Sequence, residues 1–187
     1  MRNTIIKVGG LFLLVLLVVG GYLLWDNYQK RKLQTLAYKT YEINKLIQAG
    51  NYSKAKELLK TSEAGPFKPL FLSYQLYIGE RTGEKIDEGQ LLEGIIESLK
   101  DDDLKALYRE KYAYYLFKQG KTQEALREIE KIQEKNFNYV SSLILKAQIL
   151  QKEGKHKEAK EALKKAKERG EGTYFANMAQ AFELLGE

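Results

Sequence analysis

Gly120 and Gly154 open two nearly matching segments, GKTQEALREI and GKHKEAKEAL. The same displacement relates Ala113 to Ala147 and Ala181, Leu116 to Leu150 and Leu184, and Ala125 to Ala159. GNYSKAKELL, opening at Gly50, carries the pattern about two such steps before Gly120, and Gly83 marks a weaker copy between them. In that weaker copy, Phe67 to Lys100, Lys85 stands at the place of Ala125, so this copy is expected to be degenerate or differently packed. Small residues at Ala113 and Ala147 let one helix approach the next closely, while Ala55, Ala125 and Ala159 do the same from the other side. Large residues at Leu59, Leu116, Ile129, Leu150 and Leu163 fill the space that remains. Glycines at 50, 83, 120 and 154 can adopt the left-handed conformation that ends a helix and reverses the chain.

The step from Gly120 to Gly154 is the period of tetratricopeptide repeats, in which antiparallel helix pairs stack because no single pair can bury its apolar face. The expected fold is all-α: an N-terminal transmembrane helix followed by a tetratricopeptide-like α-solenoid, with a C-terminal helix near Thr173 to Leu185 as its cap. Such a cap needs a polar outer face for solubility. A composition rich in Lys, Glu, Leu, Ala and Gln agrees with helix. The only two prolines, Pro66 and Pro69, lie in EAGPFKPL, a turn followed by a helix start.

The N-terminal end reads differently. Val8 to Trp25, VGGLFLLVLLVVGGYLLW, is an uncharged run of eighteen residues. At roughly 1.5 Å per residue it covers about 27 Å, near the roughly 30 Å of a hydrocarbon core. A cleaved secretory signal is the alternative, but the run is longer than such a region and ends without an A-x-A site. Tyr22 and Trp25 suit an interfacial belt. The expected organisation is a basic tail at 1–7, a transmembrane anchor at 8–25, a juxtamembrane linker at 26–34 and the helical domain at 35–187. Orientation is nearly balanced, with Arg2 and Lys7 before the run and Lys30, Arg31 and Lys32 after it.

The net charge is +6, and five basic residues against one acid lie at or before Lys32. The excess therefore sits beside the expected anchor, where it sets topology. No basic stripe with interleaved aromatics remains to bind nucleic acid. Cysteine is absent, so neither a disulfide nor a lipid-bearing cysteine is available.

Catalytic chemistry is equally thinly provided. His156, the only histidine, lies in GKHKEA between two lysines and is expected to be exposed. The run Asp101 to Asp103 lacks the alternation of a calcium loop and fits a helix start, where negative charge meets the positive end of the helix dipole. No GxxxxGK or GxGxxG phosphate cradle occurs. The expectation is a protein without enzymatic activity, cofactor or metal.

Function should then reside in a surface. Between Leu104 and Lys118, the residues Tyr108, Tyr112 and Tyr115 form a stripe expected to pack as core. Leu107, Glu110, Tyr114 and Phe117 form the neighbouring stripe, which in the repeat register faces a concave groove. Equivalent positions are Leu70, Ser73 and Tyr77 in the weaker copy, Ile144, Gln148 and Gln151 in the following one, and Thr40, Asn44 and Ile47 in the first. This mixture suits an extended peptide or an amphipathic helix. The alternative is that Tyr114 and Phe117 touch the next repeat or the capping helix, which could itself fill the groove.

The whole chain resembles the YfgM-like ancillary subunits of the bacterial SecYEG translocon. The resemblance rests on the short basic leader, the single apolar span, the helix bearing Tyr38 and Tyr41, the repeat GNYSKAKELL, the stretch DDDLKALYREKYAYYLFKQGKTQEAL from Asp101, and FNYVSSLILKAQILQKEGKHKEAKEAL from Phe137. The chain departs from the family's usual Gly-Asp at Ala147 and Gln148. The resemblance implies an inner-membrane protein with a periplasmic helical domain. It also implies partners among translocon subunits, a membrane-anchored chaperone of the prolyl-isomerase class, and secreted clients. A scaffold or assembly factor for a pilus, secretion or respiratory envelope complex is the alternative reading.

Overall fold

The computed structural model describes the backbone of residues 2–185 and the side chains of residues 17–184. Every regular element among them is helical. The chain forms α1 (Arg2–Gln48), α2 (Tyr52–Thr61), α3 (Lys68–Thr82), α4 (Glu88–Ser98), α5 (Asp102–Lys118), α6 (Thr122–Glu130), α7 (Tyr139–Lys152), α8 (His156–Arg169) and α9 (Tyr174–Leu185), with a short 3-10 turn at Gly65–Phe67. Two compact units result, one ending at Phe67 and the other beginning at Lys68.

In the first unit α1 packs against α2. The buried face of α1 is Leu36, Thr40, Ile43 and Ile47, a three-four spacing, and α2 buries Ala55 and Leu59. Residues 26–34, expected to be a linker, are helical and belong to α1. The basic tail at 1–7 and the first half of the expected anchor, 8–16, lie outside the described side chains. Among the described residues no helix is long and apolar enough to cross a membrane.

The second unit is a stack of antiparallel pairs, α3 with α4, α5 with α6 and α7 with α8, followed by α9 on α8 and α7. Ala113, Ala125, Ala147 and Ala159 are all buried, as the close approach of paired helices requires. Leu116, Ile129, Leu150 and Leu163 fill the core between them. Gly120, at φ +78°, closes α5: its N–H bonds to Phe117 O at 3.0 Å and that of Lys121 bonds to Leu116 O at 2.9 Å. The pattern recurs at the end of α7, where the Gly154 N–H bonds to Gln151 O and that of Lys155 bonds to Leu150 O. These are Schellman closures, for which a left-handed glycine costs least.

Asp101 caps α5 by accepting from the Leu104 N–H at 2.8 Å, with Asp102 and Asp103 in the first turn. The triple aspartate thus starts a helix. His156 is exposed at the first residue of α8.

The weaker copy is tight for a reason that alanine matching misses. Gly79 holds the place of Ala113 one period earlier, and a Cβ there would lie 2.5 Å from an Ile86 methyl. Gly89, near the start of α4, lies under the Tyr115 ring, and a Cβ there would meet it at 2.9 Å. Glycines replace alanines in this pair, and the small residue of α4 is Gly89, while Lys85 is exposed in the preceding loop.

The cap also departs from expectation. Ala181 and Leu184, which continue the repeat register, are exposed, Leu184 at 68%. In α5 and α7 the equivalent side chains are covered by the second helix of the pair, and among the described residues no helix follows α9. The buried small residue of α9 is Ala179, turned toward α7 and α8. Its exposed side, with Tyr174, Asn177, Gln180 and Leu184, is mixed and not purely polar.

Candidate functional site

The first helices of the three pairs in the second unit bring equivalent positions, some exposed and some buried, to one cleft. One period apart, Leu76, Glu110 and Ile144 form one row, Glu80, Tyr114 and Gln148 a second, and Leu107 and Ser141 a third; all line a cleft of about 620 Å³. Lys111 and Leu145 of these helices, Glu88 and Leu92 of α4, Phe137 and Asn138 ahead of α7, and Phe175 and Met178 of α9 complete its wall. The capping helix therefore contributes wall to an open cleft and does not fill it.

The expected site residues divide. Leu107, Glu110, Tyr114, Ile144 and Gln148 are brought together in the cleft, with Ile144 buried and Tyr114 50% exposed. Phe117 and Gln151, one turn further along, lie outside it. Phe117 packs against the core between the pairs, with the Lys152 ammonium 5.0 Å from its ring centre. This assigns Phe117 to the repeat contact, the alternative left open by the sequence, and Tyr114 to the cleft.

Leu70, Ser73 and Tyr77 also miss the cleft. Ser73 Oγ bonds back to Leu70 O at 2.9 Å, and Tyr77 lies under Arg81, whose Nε donates to its hydroxyl at 3.2 Å. Matching the copies by their turn glycines aligns Gly83 with Gly120, a step three positions longer than the one that aligns Gly79 with Ala113. The last turn of α3 is three residues shorter, so the lining residues are Leu76 and Glu80. In the first unit Thr40 and Ile47 are buried, Thr40 donating to Leu36 O at 2.8 Å, and Asn44 is half-buried. Thr40 and Ile47 serve the packing of that unit.

Asn138 organises the polar end of the cleft. Its Nδ2 donates to Ala106 O at 3.0 Å and to Glu110 Oε2 at 2.7 Å, and Ser141 Oγ donates to the same Glu110 oxygen at 3.0 Å. Burial pushes the Glu110 carboxyl above its ordinary value, partly offset by these two bonds. Burial also raises Glu88, assisted by the neighbouring Glu80 charge. Lys111 is the one cation in the lining, and its ammonium sits 5.5 Å from the Tyr108 ring centre. Tyr108, Tyr112 and Tyr115 pack against the α3–α4 core, as the stripe predicts.

Asn138 and Phe137 were not reachable from the repeat register, because they lie in the connection between pairs. An Asn just ahead of a helix is the local signal the sequence offers, and it does not reveal the burial of that side chain. Among the described residues no group of three or more His, Cys, Asp or Glu is arranged to hold a metal ion. The cleft thus offers apolar surface, carboxylates and hydrogen-bond acceptors, which suits recognition of a side chain or a peptide.

Residues 81–181, more than half of the chain, match the tetratricopeptide repeat-like domain. The chain belongs to this family. An uncharacterized protein of Aquifex aeolicus (strain VF5) is 28% identical over 183 residues, spanning 96% of this chain and 94% of the relative. Two crystal structures of a Podosopora anserina kinesin light chain candidate with nearly identical TPR-like repeats superpose with a TM-score of 0.57 at 17% identity. Each match covers 81% of this chain and 84% or 85% of the other. At that identity the likeness concerns the fold. A tetratricopeptide-like domain carries protein–protein interaction as its general function, so protein partners follow for this chain at that level.

Proposed function

We propose that the protein is a membrane-anchored interaction module that captures polypeptide segments in the cleft of its second unit and has no catalytic activity. The observation that carries this reading is the convergence of Glu110, Tyr114, Ile144 and Gln148 with their equivalents in the neighbouring pairs on one open cleft. Apolar and amide side chains at equivalent places on successive helices present repeated contacts to an elongated ligand. The anchor is supported by the apolar run Val8 to Trp25 and by a helical backbone continuous from Arg2 to Gln48. The resemblance to YfgM-like translocon subunits favours an inner-membrane location, a periplasmic helical domain and partners in the translocon and its chaperone network.

A photoreactive amino acid at Tyr114, crosslinked in living cells, tests the partner class. Adducts with translocon subunits, a membrane-anchored chaperone or nascent secreted chains support the reading. Adducts confined to one pilus, secretion or respiratory complex assign the protein to assembly of that complex instead. Protease protection in intact spheroplasts tests the topology independently.

A further inference from the structure

The cleft carries more polar character than an apolar peptide groove needs, and its charge is one-sided. Glu80, Glu88 and Glu110 face a single cation, Lys111, which is engaged over Tyr108. None of the three carboxylates forms an ion pair among the described residues. Both hydrogen bonds received by Glu110 fall on Oε2, which leaves Oε1 without a donor among the described residues. Asn138 is only 5% exposed, and its amide nitrogen is committed to Ala106 O and Glu110. Its Oδ1 is buried and accepts from no donor among the described residues. Flipping the amide does not help, because both present partners are acceptors and need the nitrogen. A buried acceptor left unmatched is costly, and a half-buried carboxylate without a cation is costlier.

Resting on the reading of the cleft as a peptide site, we propose that its ligand is a polypeptide segment that places one arginine or lysine side chain, flanked by bulky apolar residues, at the Glu110–Asn138 end of the cleft. A cationic group brings donors and no acceptors, which matches the unfilled Glu110 oxygen, while the buried Asn138 Oδ1 close by adds negative potential at that end of the cleft. Arginine fits best, because its planar fork of N–H groups matches the geometry of a carboxylate. Leu107, Tyr114, Phe175 and Met178 provide the apolar surface for the flanking residues. Glu80 and Glu88 raise the local concentration of a cationic segment and repel an acidic one.

The test is selection from a random-peptide phage library on the full-length protein in detergent micelles, followed by fluorescence anisotropy of the selected peptides. Expected are peptides with Arg or Lys between Leu, Ile, Phe or Met, whose affinity falls about ten-fold or more for Glu110→Gln. Replacing the cationic residue of the peptide by norleucine gives a similar loss. Glu80→Gln, at an exposed position, gives a smaller loss in the same direction and stands in if Glu110→Gln does not fold. Selected peptides that are neutral or acidic, or cationic peptides indifferent to both substitutions, overturn the cation site. If such peptides still depend on Tyr114, the cleft remains a peptide site. If nothing is selected, or binding ignores Tyr114 as well, both readings fall.

Discussion

Asn138 and Glu110 are joined by a hydrogen bond of 2.7 Å that ties the connection ahead of α7 to the middle of α5. The second N–H of the same amide reaches Ala106 O one turn earlier on α5. One side chain thereby sets the distance between consecutive pairs at the cleft. Asn138→Ala removes both bonds from a buried site, and the expected cost is about 1–3 kcal/mol. Chemical denaturation of the full chain, followed by helical ellipticity, measures it.

Glu110 should show the opposite sign at neutral pH. Its folded pKa is raised above the ordinary 4.5, chiefly by burial. The folded state therefore holds a proton that the unfolded state has already released, and stability declines as pH rises from below 4.5 through the folded pKa. Glu110→Gln keeps an oxygen for Asn138 and Ser141 but carries no charge, so its melting temperature should equal or exceed that of the parent at neutral pH. The advantage should vanish at acid pH. Taking the difference between the two proteins cancels groups such as Glu153, which is held down at about 2 chiefly by its bond from Lys155 and then by that from Thr122.

Tyr114 and Phe117 sit three residues apart on α5 and should behave differently when each is replaced by serine. Tyr114 is half exposed in the cleft, so its loss should leave the melting temperature nearly unchanged and weaken peptide binding. Phe117 is packed between pairs beneath Lys152, so its loss should cost roughly 1–2 kcal/mol, in keeping with partial burial of an aromatic ring. Thermal melts and peptide binding on the two single variants separate these roles.

Ala113 is fully buried on α5 where the paired helix α6 brings Ala125, also fully buried. Leucine at 113 has no space without parting the helices, and the expected destabilisation is about 1–3 kcal/mol or more. The same substitution at Ala181, exposed on α9, should have little effect. Urea midpoints for the two variants check the contrast.

The helix pairs, their glycine closures and their alanine contacts were legible in the sequence, because each pair repeats the same local problem. Asp101 as a cap and His156 as an exposed residue were legible for a similar reason, being fixed by immediate neighbours. The candidate site was legible in part. Leu107, Glu110, Tyr114, Ile144 and Gln148 follow the repeat, whereas Leu76 and Glu80 were hidden by a turn three residues shorter at the end of α3.

The constant step between repeats determines which faces of successive helices must meet, since a repeat that fails to bury its neighbour does not fold. That much of the protein is written in spacing. Only the tertiary structure decided that Phe137, Asn138, Glu88, Phe175 and Met178 join the wall of the cleft. They come from a connection, a second helix and a cap, and no common spacing links them. Their convergence follows from how the pairs stack, and so does the burial that leaves the Asn138 oxygen without a donor.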